Sequence, residues 1–138
     1  MTRVVVSVEG RTHTSDGNPD VLQYDTTHLI EPPSGNIWSG KSLFTAPATG
    51  IYMVSFGFVK DTYYHGGTDD DVFMTLRKNA DAALCRAWSG QGAGRRDSAS
   101  HVCAVRLNRG ETLDTVADSD GPGLKRHLAS YYLTITLV

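Results

Sequence analysis

A chain of 138 residues is one domain's length, so residues 1–138 read as a single compact unit able to bury a core without metals or several disulfides. Charged side chains make up 20% of it and the hydrophobic set 40%, a balance that excludes a disordered chain. Thirteen basic and fifteen acidic side chains leave a formal charge of −2 with no single-sign run, which removes any electrostatic reason to bind nucleic acid or an anionic membrane.

The opening Met1-Thr2-Arg3-Val4-Val5-Val6-Ser7 turns polar too soon for the apolar stretch of a signal peptide. No run approaches ~18 apolar residues, so no membrane span is expected. Val4 to Val8 reads as a short strand, residues 15–20 as a loop and Leu22 to Ile30 as one further strand. Pro32-Pro33-Ser34-Gly35-Asn36 turns the chain into Ile37-Trp38, and Phe44 precedes a turn at Pro47-Ala48-Thr49-Gly50. Ile51 to Lys60 is the strongest strand. Residues 61–71 are a polar connection, Val72 to Arg77 a strand, Lys78-Asn79-Ala80-Asp81 a hairpin-like turn and Ala82 to Trp88 its return. A glycine-bearing loop at 89–97 leads to the strand Ala99 to Leu107, a turn at Asn108-Arg109-Gly110 and the strand Glu111 to Ala117. Residues 118–125 form a loop, and Ala129 to Val138 closes the chain. No window of helical length keeps apolar residues at three-and-four spacing. Eight to ten short strands in a chain of this length mean a β-sandwich or barrel.

Two strands carry more information than the others. Between Ile51 and Val59, Tyr52, Val54, Phe56 and Phe58 form one face, and Ile51, Met53, Ser55, Gly57 and Val59 the other. In the last strand Tyr131, Leu133, Ile135 and Leu137 oppose Tyr132, Thr134, Thr136 and Val138. A solvated sandwich strand is expected to be apolar on one face only. Here the second face is apolar or small, with no Asp, Glu or Lys before Lys60. Two explanations stand: another subunit covers it, or it is a neutral outer face.

Phe44, Gly50, Tyr52, Val54 and Phe56 resemble the second half of the signature of C1q-like domains, with Val54 in place of an aromatic. Val72 to Asn79 resembles that family's Val-x-Leu-x-Lys-Asn strand and turn. Ser98-Ala99-Ser100, followed by Val105, Leu107, Gly110, Glu111 and Leu113, is similar to its Ala-Ser…Leu-x-Leu-x-x-Gly-Asp-x-Val stretch. Tyr131-Tyr132-Leu133 stands where the family has an aromatic-rich last strand. The resemblance is collinear from Val4 to Val138. It departs at Pro32-Pro33, which stands in the usual Asn/Asp neighbourhood, and in having no collagen-like Gly-X-Y repeat. It implies an all-β, ten-stranded jelly roll of the C1q and tumour necrosis factor kind, assembled as a homotrimer. In that architecture the sheet holding Ile51–Lys60 and the last strand faces the three-fold axis. Carried over, this puts Met53, Ser55, Val102, Ala104, Tyr131 and Leu133 near the axis, and Tyr52, Phe56, Phe73, Val105 and Leu107 inside the sandwich.

His101 and Cys103 share a strand face continued by Val105 and Leu107, so an inert pair directed at the core is expected rather than a thiol nucleophile with its base. Cys85 and Cys103 flank the 89–97 loop, a spacing at which the family sometimes places a disulfide. An oxidising compartment favours the bridge and a reducing one free thiols. Asp69, Asp70, Asp71, Asp118 and Asp120 are the clustered acids. Calcium takes about six to eight oxygens, so solvated loop carboxylates are the first reading. The calcium that C1q-like trimers hold in apical loops is the second, and no other cofactor is expected. Tyr63, Tyr64 and His65 sit beside Gly66-Gly67, as aromatics do on binding loops and also where loops pack onto a sandwich. The five histidines show no zinc spacing, and no phosphate loop or Gly-x-Ser-x-Gly occurs, so no enzyme is expected.

The functional expectation is a trimer that decorates or cements a virion, as a capsid decoration, head-fibre or fibre-tip protein, with capsid proteins as partners. Absence of a secretory signal, stalk or catalytic constellation motivates it. The alternative is a C1q-like recognition module, extracellular or at a cell surface by a signal-less route, binding a protein or glycan.

Overall fold

The computed structural model describes residues 3–15, 20–33, 36–60, 72–89, 97–119 and 126–138. Among these there is no helix. The eleven strands are β1 (Val5–Ser15), β2 (Asp20–Val21), β3 (Thr26–Glu31), β4 (Trp38–Ser39), β5 (Leu43–Thr45), β6 (Gly50–Lys60), β7 (Val72–Lys78), β8 (Ala82–Ser89), β9 (Asp97–Leu107), β10 (Thr112–Ser119) and β11 (Arg126–Leu137). They form two antiparallel sheets, one in the order β3-β1-β11-β6-β9 and the other β4-β5-β10-β7-β8, with β2 added on β10. Ten strands make the two sheets' paths, and the two-residue β2 is the eleventh.

The period-two alternation of β6 sends Tyr52, Val54, Phe56 and Phe58 into the sandwich, all buried. Leu133 and Ile135 lie opposite Phe56 and Val54 in register, and Val4, Val6 and Val8 complete that layer. From the other sheet Phe44, Met74, Leu76, Ala87, Leu113 and Ala117 face them. The expected single strand Leu22 to Ile30 is instead divided. Residues 22–25 carry the chain between sheets, Leu22 N–H donating to the Thr115 carbonyl and Tyr24 N–H to that of Lys41. Leu22 and Tyr24 are buried in this crossover. The opening strand runs on to Ser15 because β11 continues to pair with it as far as Arg126.

Two adjacent tyrosines of β11 each lie against a glycine. Tyr131 pairs with Gly10 of β1 on the inner side, and a Cβ at Gly10 would collide with ring carbons Cε2 and Cζ. Tyr132 pairs with Gly57 of β6 on the outer side, where a Cβ would lie 2.9 Å from Cε1 of its ring. A glycine inside a strand often marks such a close approach. Tyr131 then reaches the Gln23 carbonyl with its hydroxyl and meets the Tyr24 ring edge-on at 5.1 Å. This anchors the crossover to the five-stranded sheet.

The β7–β8 turn uses Asn79 and Ala80 at φ of 55° and 57°. Asn79 ties it to β10, accepting from Thr112 N–H through Oδ1 at 3.0 Å and donating through Nδ2 to Glu111 at 3.0 Å. At the open edge of the sandwich, Cys85 of β8 and Cys103 of β9 form a disulfide that joins the two sheets.

Candidate functional site

The outer face of the five-stranded sheet is set out by its register. One row across β3, β1, β11, β6 and β9 reads Leu29, Ser7, Thr134, Ser55 and Val102. The next reads Glu31, Val5, Thr136, Met53 and Ala104. On the other side of the first, Glu9, Tyr132, Gly57 and Ser100 form a row. Over β11, β6 and β9 these three rows contain no charge. Charged side chains begin at the rim, where Glu31 meets Arg3 at 3.5 Å and Glu9 meets His28 at 3.4 Å, with Arg11 and Arg106 further out. Val102 is 59% exposed, Ile51 47% and Met53 39%. Small residues separate these side chains, and the Tyr132 ring packs against Gly57. The result is a smooth, uncharged surface that another backbone can approach closely. A depression of about 330 Å3 lies at one end, lined by Glu9, Val59, Ser98, Ser100, Ser130 and Tyr132 among others.

Met53, Ser55, Val102 and Ala104 are therefore together on this face. Tyr131 and Leu133 are not: both point into the core, with Leu133 fully buried and Tyr131 5% exposed. Alternation along β11 is as expected but its phase is opposite, because Leu133 pairs with Phe56 and Tyr131 with Phe58, which both face inward. Tyr132, Thr134 and Thr136 occupy the outer positions instead. Phe73 is also misplaced by the sequence reading. It lies on the outer side of β7 with Thr75 and Arg77, while Val72, Met74 and Leu76 fill the sandwich. Tyr52, Phe56, Val105 and Leu107 are buried.

His101 lies on the inner side of β9, opposite Phe56 in register with the two rings 6.1 Å apart, but it is exposed rather than buried. β9 is an edge strand, so cover from the opposite sheet ends along it. Cys103 is bonded to Cys85 and is no thiol in this state. Tyr63, Tyr64, His65, Asp69, Asp70, Asp71 and Asp120 lie outside the described residues. Asp118 is in β10, and among the described residues no group of three or more His, Cys, Asp or Glu could hold a metal ion.

The sequence reading missed the outer side of the six-stranded sheet. Trp88 is 61% exposed there, paired with Phe73 at 6.1 Å between ring centroids. The Arg86 guanidinium sits 5.4 Å from the Phe73 centroid. Nearby, Arg77 grips Asp114 with two hydrogen bonds, Nε to Oδ1 at 2.9 Å and a terminal nitrogen to Oδ2 at 2.7 Å. That bond raises the Arg77 pKa further. The signal was present in the alternation of Arg86 and Trp88 with Cys85, Ala87 and Ser89.

No protein-family model matches the sequence, and no curated protein matches it either. Solved structures do. The globular domain of zebrafish complement 1qA protein superposes with a TM-score of 0.72 at 13% identity, covering 99% of this chain and 97% of that one. Eiger, a tumour necrosis factor of S. frugiperda, gives 0.67 at 14% identity over 100% and 94% of the two chains. Murine APRIL gives 0.66 at 10% identity over 98% and 99%. The chain thus has the jelly-roll fold of C1q and tumour necrosis factor domains. At these identities the likeness concerns the fold alone.

Proposed function

We propose that this protein is a non-enzymatic homotrimeric module whose copies meet on the outer face of the five-stranded sheet, and that it serves on a virion surface as a capsid decoration, head-fibre or fibre-tip protein. The observation that carries the self-association is the three rows of uncharged, mostly small side chains around Ser55. A sheet face left in water ordinarily carries charged side chains, and the exposed apolar Ile51, Met53 and Val102 among these small residues favour a surface that is covered. Like surfaces without charge meet without repulsion. A closed trimer also has the symmetry of a shell's three-fold positions, which supports the virion role.

Mass spectrometry and cryo-electron microscopy of purified particles from the source test that role. Symmetric, high-copy occupancy at three-fold positions is the expected result, and absence of the protein from all particles would contradict it. A second reading, a recognition module for a protein or glycan, is favoured by Trp88. It projects from the sheet that self-association leaves free.

A further inference from the structure

The outer side of the six-stranded sheet places an aromatic platform beside a shallow depression that mixes apolar and polar side chains. In register, Asp118 of β10, Phe73 of β7 and Trp88 of β8 form one row, and Val116, Thr75 and Arg86 the next. Val21 of β2 extends the second row and is 41% exposed. The depression, of about 170 Å3, is lined by Thr75, Arg77, Ala83, Arg86, Val116 and Asp118. It is no larger than a single sugar ring requires.

We propose that Trp88 and Phe73, with Arg86, Thr75 and Asp118 at their side, form a binding site for an uncharged pyranose of a glycan. The proposal rests on the recognition reading above and requires neither a virion nor a particular assembly state. A pyranose has one face of C–H groups and a rim of hydroxyls. The C–H face matches an open indole, whose broad apolar surface is otherwise left in water. The rim hydroxyls both donate and accept. Arg86 offers a fork of N–H donors, Asp118 offers acceptor oxygens, and the Thr75 hydroxyl does either.

The charges argue for a neutral sugar. Arg77 is committed to Asp114, which is itself buried. Beyond that pair the lining carries charge of both signs, the Arg86 guanidinium and the Asp118 carboxylate. An acidic sugar would bring its charge towards Asp118 as well as Arg86. Small-molecule sites commonly join apolar walls to a few placed polar groups, as here. A stack of this kind with few hydrogen bonds gives weak affinity per site, and several copies in one assembly would multiply it.

The full chain, fluorescently labelled, is applied to an array holding neutral, sialylated and sulfated glycans. The methyl glycoside of the best terminal sugar is then titrated by saturation-transfer NMR. Trp88→Ala, Trp88→Phe, Arg86→Ala and Arg109→Ala, the last in the distant 108–110 turn, are compared with the wild type. Sedimentation of the same samples reports their assembly. The expected result is millimolar binding of neutral glycosides, reduced about ten-fold or more by Trp88→Ala, which corresponds to about 1.4 kcal/mol. Trp88→Phe retains part of the binding and Arg109→Ala all of it. No glycan binding at millimolar concentration, or binding unchanged in Trp88→Ala, would overturn the site. Preference for sialylated or sulfated chains that Arg86→Ala abolishes and Trp88→Ala spares would also overturn it. Capture of a purified protein through Trp88 with a blank array would sink the sugar site and leave the recognition reading standing.

Discussion

Replacing Gly10 with alanine places a methyl group against the ring of Tyr131, and the consequence follows from the packing there. The new Cβ falls 2.6 Å from the Tyr131 hydroxyl oxygen and nearer still to Cε2 and Cζ, against an ordinary contact of ~3.5 Å or more. The ring must retreat by about an ångström into a buried space closed by Tyr24. Overpacking of this kind costs ~1–3 kcal/mol. Loss of the hydrogen bond to the Gln23 carbonyl adds ~1 kcal/mol. Loss of chain freedom in the unfolded state returns ~0.5 kcal/mol, as for any glycine-to-alanine change at an ordinary φ. The net expectation is a destabilisation of about 2–3 kcal/mol, read as a lower urea midpoint at fixed protein concentration. The melting temperature falls by roughly 10 °C for a chain of this length. In a Tyr131→Leu background, where the ring is gone, the same substitution is expected to cost almost nothing. A neutral Gly10→Ala in the wild type, or an equal cost in both backgrounds, would refute the argument.

Arg77→Met leaves the Asp114 carboxylate buried without its partner and is expected to cost about 2–3 kcal/mol in chemical denaturation. Arg77→Met with Asp114→Leu is expected to recover most of that, and equal losses in both would contradict it. Reduction of Cys85–Cys103, or its replacement by serines, reopens a loop with a sequence separation of 18 and should lower stability by about 3 kcal/mol. An unchanged urea midpoint, with reduction verified by mass, would count against that. Burial raises the phenol pKa of Tyr24, Tyr52 and Tyr131 above the ordinary value near 10. The folded state keeps these protons when the unfolded chain has lost its own, so stability is full below about pH 10 and falls as pH rises beyond it. Tyrosinate absorbance should show these three phenols titrating together with unfolding. Smooth titration of all six tyrosines before any loss of structure would contradict the prediction.

The strand-and-turn texture made the fold legible, because alternation and Gly/Pro/Asn punctuation are local properties of the chain. The two faces of β6 were readable in full: Tyr52, Val54, Phe56 and Phe58 are inside, and the small and apolar set is outside. In β11 the same period gave the division into faces but not which one faces inward. Both faces begin with a tyrosine, but Leu133, Ile135 and Leu137 are more apolar than Thr134, Thr136 and Val138, a signal that the pattern carried over from the family set aside. Register makes the inner face plain by setting Leu133 opposite Phe56. For Phe73 the signal was available, since it shares its face with Thr75 and Arg77, a poor match for a core. The crossover at residues 22–25 read as strand because Leu22 and Tyr24 alternate like one. Their backbone bonds to Thr115 and Lys41 are non-local and leave no trace in a linear pattern. The Trp88 platform required three strands to be laid side by side before it could be seen.

Sedimentation equilibrium of the wild type beside Met53→Asp and Val102→Asp tests the central claim most directly. Both side chains stand exposed on the outer face, so either charge leaves the fold of a single chain intact. The account predicts a wild-type mass three times the 15.0 kDa chain at micromolar concentration, and folded monomers for both variants. A wild type that stays monomeric, or aspartate variants that remain trimeric, would contradict it.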